Sequence, residues 1–229
     1  MTPDRRRYDE LRETRPELFA NPAGSIFTVL HDPESVSRAE SEAAERLRSE
    51  GRPEDWAKTG VVYEDVYGLR LRDAVRFPDG SLGTYIRDVS PQPVGGVVVL
   101  PVLNGDIVLL DHFRHATRTW HLELPRGGGE PGASPAEDAR RELEEEIGAK
   151  ATTLVALGEL HPDTGMAAAA VALFYAEIDG IGEPEAAEGI DSIRLVPPQS
   201  LRDMIRSGEV TDGFTMAAYL RATLHQLLP

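Results

Sequence analysis

Four carboxylates stand close together in the middle of this chain, Asp138, Glu142, Glu145 and Glu146, with Arg141 among them. On a helix turning 100° per residue they fall on one face, and Glu142 and Glu146, one turn apart, point the same way. Like charges at that spacing cost a helix roughly 0.2–0.5 kcal/mol per pair. Two readings compete. One is a solvated acidic face on an acidic protein. The other is a set of oxygen ligands for a hard divalent cation, because Mg²⁺ and Mn²⁺ take oxygen donors. The second is favoured, because the acids follow a glycine loop and border the apolar stripe Ala136, Ala139, Leu143 and Ile147 at the edge of a core.

The elements that must position these acids are legible beside them. Ser134 is a natural N-cap, Pro135 suits the first helical position, and Glu137 completes a capping box. Gly148 is placed to end the helix in a left-handed turn. The spacing predicts a helix over Pro135 to Ile147. It is preceded by Gly127-Gly-Gly129, whose backbone can approach a ligand closely, or simply turn. Before the loop, Trp120-His-Leu-Glu-Leu124 reads as the strand that feeds it.

The stretch Gly127–Ala149 resembles the Nudix box: glycine, five residues, glutamate, seven residues, then Arg-Glu-aliphatic-any-Glu-Glu-any-Gly-aliphatic. Gly127, Arg141, Glu142, Leu143, Glu145, Glu146 and Gly148 match, and Ala149 is a small stand-in for the last aliphatic. One position departs. The first glutamate of the box falls on Ala133, and Glu130 is the only nearby acid to compensate.

Composition limits the function classes. The chain has 229 residues, 41% hydrophobic and 28% charged, ordinary for a globular protein with one buried domain and an extension. A net charge of −15 argues against binding nucleic acid. It also means that an anionic substrate needs local help from arginine or metal. Zero cysteines exclude disulfides, zinc-thiolate sites and thiol catalysis. No apolar segment follows Arg5-Arg-Arg7, and the longest apolar run, around Val94 to Leu103, is too short to span a bilayer. The expectation is a cytoplasmic protein without membrane contact.

Residues 1–59 read as an N-terminal helical arm, mixed over 1–31 with Pro16–Pro22 suggesting an irregular packed stretch, and with a helix from Asp32-Pro-Glu34 to Gly51. Its stripe of Val36, Ala39, Ala43 and Leu47 is alanine-rich, suited to packing on a surface and not to forming a core. Residues 60–93 alternate as three strands, Val61–Val66, Leu69–Phe77 and Leu82–Val89. A lone three-stranded sheet buries little by itself and needs a partner surface. Residues 94–229 form the main domain. Asn104-Gly105 joins a hairpin, with later strands near Ala151–Leu160, Val171–Ile178 and Ile190–Val196. A helix capped by Ser200 ends at Gly208, and a last helix runs from Asp212 to Leu228.

The wider pattern resembles the ADP-ribose pyrophosphatase branch of the Nudix hydrolases over roughly residues 60–225. It includes the Phe77–Gly80 turn, His112-Phe-Arg114, Glu123-Leu-Pro125 and Ser207–Thr215. The resemblance implies an α/β fold: a Nudix α/β/α sandwich with a mixed sheet, plus an N-terminal antiparallel sheet through which two subunits form a homodimer. It implies hydrolysis of the pyrophosphate bond of a nucleoside diphosphate linked to another moiety, with ADP-ribose or a nucleotide sugar expected, and Mg²⁺ or Mn²⁺ as cofactor. Glu142, Glu145 and Glu146 and the Arg126 carbonyl would be the metal ligands. Glu142, Glu145 and Arg141 would be the catalytic set, with Arg141 orienting a box glutamate. Arg114, Arg126, Gly127 and Gly128 would meet the substrate. Arg114 has a rim salt bridge as its alternative, and the Arg126 side chain could simply be exposed. Relatives often supply a base from a loop after the box. Here that loop reads His161-Pro-Asp-Thr-Gly-Met-Ala-Ala-Ala-Ala170, leaving His161 and Asp163, with Glu185 and Glu188 more distant. Two outcomes stay open: a box glutamate, Glu142 or Glu145, takes the proton, or the chain is a weakened or repurposed module that senses a nucleotide-like ligand or acts on a specialised metabolite.

Overall fold

The computed structural model describes residues 2–92, 94–183 and 189–228. It divides into two compact units, Met1–Pro91 with Asp163–Ala168, and Gln92–Pro162 with Ala169–Pro229. The expected boundary at residue 93 and the distant acids Glu185 and Glu188 lie outside the described residues.

The first unit opens with α1 (Arg5–Thr14), capped by the Asp4 carboxylate, which accepts from the Arg7 amide. A 3-10 turn at Pro16–Phe19, strand β1 (Thr28–Val29) and helix α2 (Pro33–Ser49) follow. Then come β2 (Gly60–Glu64), β3 (Leu69–Arg76) and β4 (Leu82–Val89). All pair antiparallel around β3: β4 runs along one edge, and β2 and β1 share the other. Alternation along β3 sends Leu69 and Leu71 into a cluster with Tyr8, Leu11, Phe19, Val61 and Val89, while Ala74 joins Val36, Ala39 and Leu82. Tyr8 and Arg87 both bond the buried Asp73 carboxylate, at 2.6 Å each.

Four readings of this region change. Residues 1–31, read as mixed, open with helix α1 on its Asp4 cap, ahead of the stretch 16–22, which holds only a 3-10 turn. The sheet has four strands, since Thr28 and Val29 pair with Arg76 and Val75. Part of its apolar surface is covered by α1 and α2 of the same chain, while Tyr63 and Tyr85 stay exposed, so the sheet is not left to bury its apolar residues alone. The alanines of α2 let that helix lie close, so Val36 and Ala39 contribute to a small core cluster.

The second unit holds β5 (Gly96–Leu103), β6 (Asp106–Arg114), β7 (Thr119–Glu123), β8 (Arg126–Gly128), α3 (Pro135–Ile147), β9 (Ala151–Leu160), β10 (Val171–Ile178), β11 (Ile190–Val196), α4 (Pro198–Ser207) and α5 (Gly213–Leu224). Asn104 and Gly105, at φ 53° and 93°, turn β5 into β6. The two strands stay paired for only two residue pairs before they part. Beyond that point β8 lies along β5 and β7 along β6, which inserts the start of the glycine loop into the sheet. The order β11-β6-β5-β10-β9 is completed by one parallel pairing, β5 with β10, so the sheet is mixed.

Helices cover both faces. Val97 and Val99 of β5 meet Ala139, Leu143 and Ile147 of α3. Val98, Leu100 and Val102 meet Leu201 of α4 and Ala218 and Ala222 of α5. This is the α/β/α sandwich with a mixed sheet. Helix α4 starts at Pro198, two residues before Ser200, because proline is preorganised for the first helical position. Helix α5 stops at Leu224, short of Leu228. Among the described residues, no helix is long and apolar enough to cross a membrane.

Candidate active site

Helix α3 is fixed at both ends. The Ser134 hydroxyl accepts from the Glu137 amide and the Glu137 carboxylate accepts from the Ser134 amide at 2.7 Å, while Gly148 takes the left-handed conformation that ends it. With Ala139, Leu143 and Ile147 fully buried on the sheet, the neighbouring acids are carried inward too. Asp138, Glu142 and Glu146 are 4%, 6% and 2% exposed. A solvated acidic face is therefore ruled out for these three. The Glu145 side chain keeps 38% of its exposure.

Buried carboxylates need partners, and the glycine loop supplies them. The Arg126 amide donates to Glu146 Oε2 at 2.8 Å. The Glu142 carboxylate lies directly against Gly127, where a β-carbon would overlap it. Gly127 is thus required by the box glutamate itself. Gly128 faces open space, and its carbonyl accepts from Arg141 Nη2 at 2.6 Å. Arg141 Nη1 lies 2.8 Å from Glu142 and 2.7 Å from Glu145. Burial works against the Arg141 charge, and Glu142, Glu145 and Asp138 together more than offset it, raising its pKa. One guanidinium therefore neutralises the like-charge neighbours that the helix alone would tolerate poorly.

Below the loop, Glu123 at the end of β7 is 1% exposed. Arg114 Nε lies 2.5 Å from its Oε1, Arg126 Nη2 donates to its Oε2 at 2.7 Å, and His112 Nδ1 is 3.1 Å away. Arg126 Nη1 reaches Asp212 at 2.8 Å, and its guanidinium lies over the Phe214 ring. Burial pushes the Glu123 carboxyl above its ordinary range, and Arg126 and Arg114 pull it part of the way back. Both arginines expected at the substrate are thus gathered on one buried acid. Glu123 and Asp212 escaped the sequence reading as members of the site. The available signal was a charged residue between Leu122 and Leu124 in an apolar run ending at the loop.

The loop acid Asp163 belongs to the first unit, where its Oδ1 accepts from the Gly165 and Met166 amides at 2.9 and 3.2 Å, and His161 is exposed. The residues expected as ligands, Glu142, Glu145, Glu146 and the Arg126 carbonyl, carry only oxygen donors, the type that suits a hard divalent cation. Among the described residues, no three acidic or histidine side chains already converge closely enough to hold an ion. Arg141 stands between Glu142 and Glu145 instead.

An α/β/α sandwich with this helix and loop defines the class. The NUDIX domain family model matches residues 93–214, and the chain belongs to that family, in its ADP-ribose pyrophosphatase-like branch. It is 31% identical over 176 residues to the ADP-ribose pyrophosphatase of Bacillus subtilis (strain 168), covering 75% of this chain and 93% of that protein. It is also 31% identical over 163 residues to the methanol dehydrogenase activator of Bacillus methanolicus, covering 68% of this chain and 85% of that protein. A crystal structure of an ADP compounds hydrolase shares the fold with a TM-score of 0.63 and 21% identity, covering 74% of this chain and 92% of that one.

Proposed function

We propose that this protein hydrolyses the pyrophosphate bond of a nucleoside diphosphate linked to another moiety, with ADP-ribose or a nucleotide sugar as substrate. The observation that carries this reading is the burial of Glu142 and Glu146 against the backbone of Gly127 and Arg126, with Arg141 bridging Glu142 and Glu145. Glu142, Glu145, Glu146 and the Arg126 carbonyl would hold Mg²⁺ or Mn²⁺, which supplies neutralisation of the diphosphate and polarisation of the attacking water. The water oxygen bonds to one phosphorus, the bridging P–O bond breaks, and a phosphate monoester leaves. Glu142 or Glu145 accepts the water proton. Arg141 holds those two carboxylates apart and oriented, and the Glu123 network fixes Arg114 and Arg126 beside the loop that meets the phosphates. Assembly as a homodimer through the sheet of residues 60–93 belongs to the same reading and is checked by light scattering.

The test is a turnover screen with Mg²⁺ and Mn²⁺ on ADP-ribose, NADH, nucleotide sugars, diadenosine polyphosphates and nucleoside triphosphates, with Glu146→Gln as control. A glutamine can still accept the Arg126 amide, so the variant keeps its loop contact while losing the charge. Cleavage of ADP-ribose to AMP and ribose phosphate, lost in the control, is the expected result. Silence across the panel from folded protein, or equal turnover in Glu146→Gln, overturns the reading.

A second reading has its own support: Ala133 in the box, alanines at 167–170, and a relative named as an activator of another enzyme. Here the site binds a nucleotide-like ligand without turning it over. Calorimetric binding of ADP-ribose without product distinguishes it.

A further inference from the structure

We infer that Asp138 is a positioning residue that takes over the work of the glutamate missing at Ala133, tying the glycine loop to α3 and orienting Arg141. The inference deepens the reading above and rests on it for its activity arm. Asp138 sits in the first turns of α3, a place where an exposed acid gains only from the helix dipole. Here it is 4% exposed, and its contacts cross from the helix to the loop. Oδ1 accepts from the Glu130 amide at 3.0 Å and lies 3.4 Å from Arg141 Nη2. A β-carbon on Gly129 would stand 3.0 Å from Oδ2, so the loop backbone passes tightly over the carboxylate.

The acid expected to compensate does not do so with its side chain. The Glu130 side chain is 64% exposed and its Oε1 stays 3.7 Å from Arg141 Nε. That Nε is buried and makes no hydrogen bond among the described residues, so the guanidinium keeps a donor to spare. Glu130 supplies its backbone amide, and Asp138 supplies the charge. From Asp138 the chain of contacts runs through Arg141 to Glu142 at 2.8 Å and Glu145 at 2.7 Å. Loss of Asp138 therefore frees the loop and releases the arginine that holds two of the acids.

The test compares wild type, Asp138→Ala, Asp138→Asn, Ala133→Glu and Ala133→Glu/Asp138→Ala. Mn²⁺ binding alone is followed by calorimetry, backbone hydrogen exchange at residues 127–133 by mass spectrometry, and turnover of ADP-ribose by product separation. Supporting residues of this kind typically set metal affinity or activity by about 10- to 100-fold, so Asp138→Ala is expected to weaken Mn²⁺ binding by about 10-fold and to speed exchange in the loop. The Asn variant keeps an acceptor for the Glu130 amide, so loop protection persists while Mn²⁺ affinity falls. Ala133→Glu is expected to restore the Asp138→Ala protein and to change wild type little, a rescue that a purely packing role for Asp138 does not produce. Folded Asp138→Ala with unchanged affinity and exchange, or no recovery in the double variant, overturns the inference. Should Asp138→Ala fail to fold, Asp138→Asn with and without Ala133→Glu decides it, and equal Mn²⁺ affinity in both and in wild type counts against it. A wild type that binds Mn²⁺ yet cleaves nothing sinks the proposed reaction alone. A wild type that binds no Mn²⁺ leaves the inference to be upheld or overturned by loop exchange and its rescue.

Discussion

The Glu142 carboxylate rests directly on the α-carbon of Gly127, in space that any larger residue would claim with its first carbon. The box glycine and the box glutamate, fifteen positions apart by their numbers, are thus two halves of one contact. Gly127 does not need a left-handed backbone; it needs the absence of a side chain.

Gly127→Ala should therefore displace Glu142 while leaving the sandwich intact. Overpacking a tight site costs about 1–3 kcal/mol, and displacing a candidate ligand costs about 10- to 100-fold in metal affinity or turnover. Urea denaturation and Mn²⁺ calorimetry on the same sample separate the two effects. Full metal affinity in the alanine variant would show that Glu142 can move without consequence.

Glu123 is the acid on which Arg114 and Arg126 converge. Removing one member of a buried ion pair costs about 3–5 kcal/mol, because the partner charge stays behind. Arg114 and Arg126 keep 29% and 20% of their side-chain exposure, which places Glu123→Gln near the low end, about 3 kcal/mol. Equilibrium unfolding in urea measures this, and a loss below about 1 kcal/mol would mean that water reaches both arginines freely.

A pH dependence follows from Asp111 on β6, which accepts from Arg194 and Ser192 on β11. Burial works against its carboxylate, and the Arg194 and Ser192 bonds more than offset this, so its pKa is lowered in the folded state. Its stabilisation is present above the ordinary carboxylate range, near about pH 4, and is lost as pH falls through the folded value. Arg194 is 48% exposed, so solvent screening limits the gain to about 1 kcal/mol or less. In Arg194→Gln the stability difference between pH 7 and pH 3 should shrink by that amount. An unchanged pH slope in urea titrations would assign the acid sensitivity to other groups.

The sequence by itself determined what depends on near neighbours. Ser134, Pro135, Glu137 and Gly148 set the limits of α3, Asn104-Gly105 set the hairpin, and alternation set strands β3 and β4, because caps, turns and periodicity act over a few residues. The identity of the box followed from the same local spacing. Only the tertiary structure decided that Asp138 is buried under the loop, that Arg114 and Arg126 meet on Glu123, and that α1 and α2 cover part of the N-terminal sheet. Those relationships join residues distant along the chain. Whether a charged side chain faces water or an opposite charge depends on what the fold packs beside it, and no local pattern of residues carries that information.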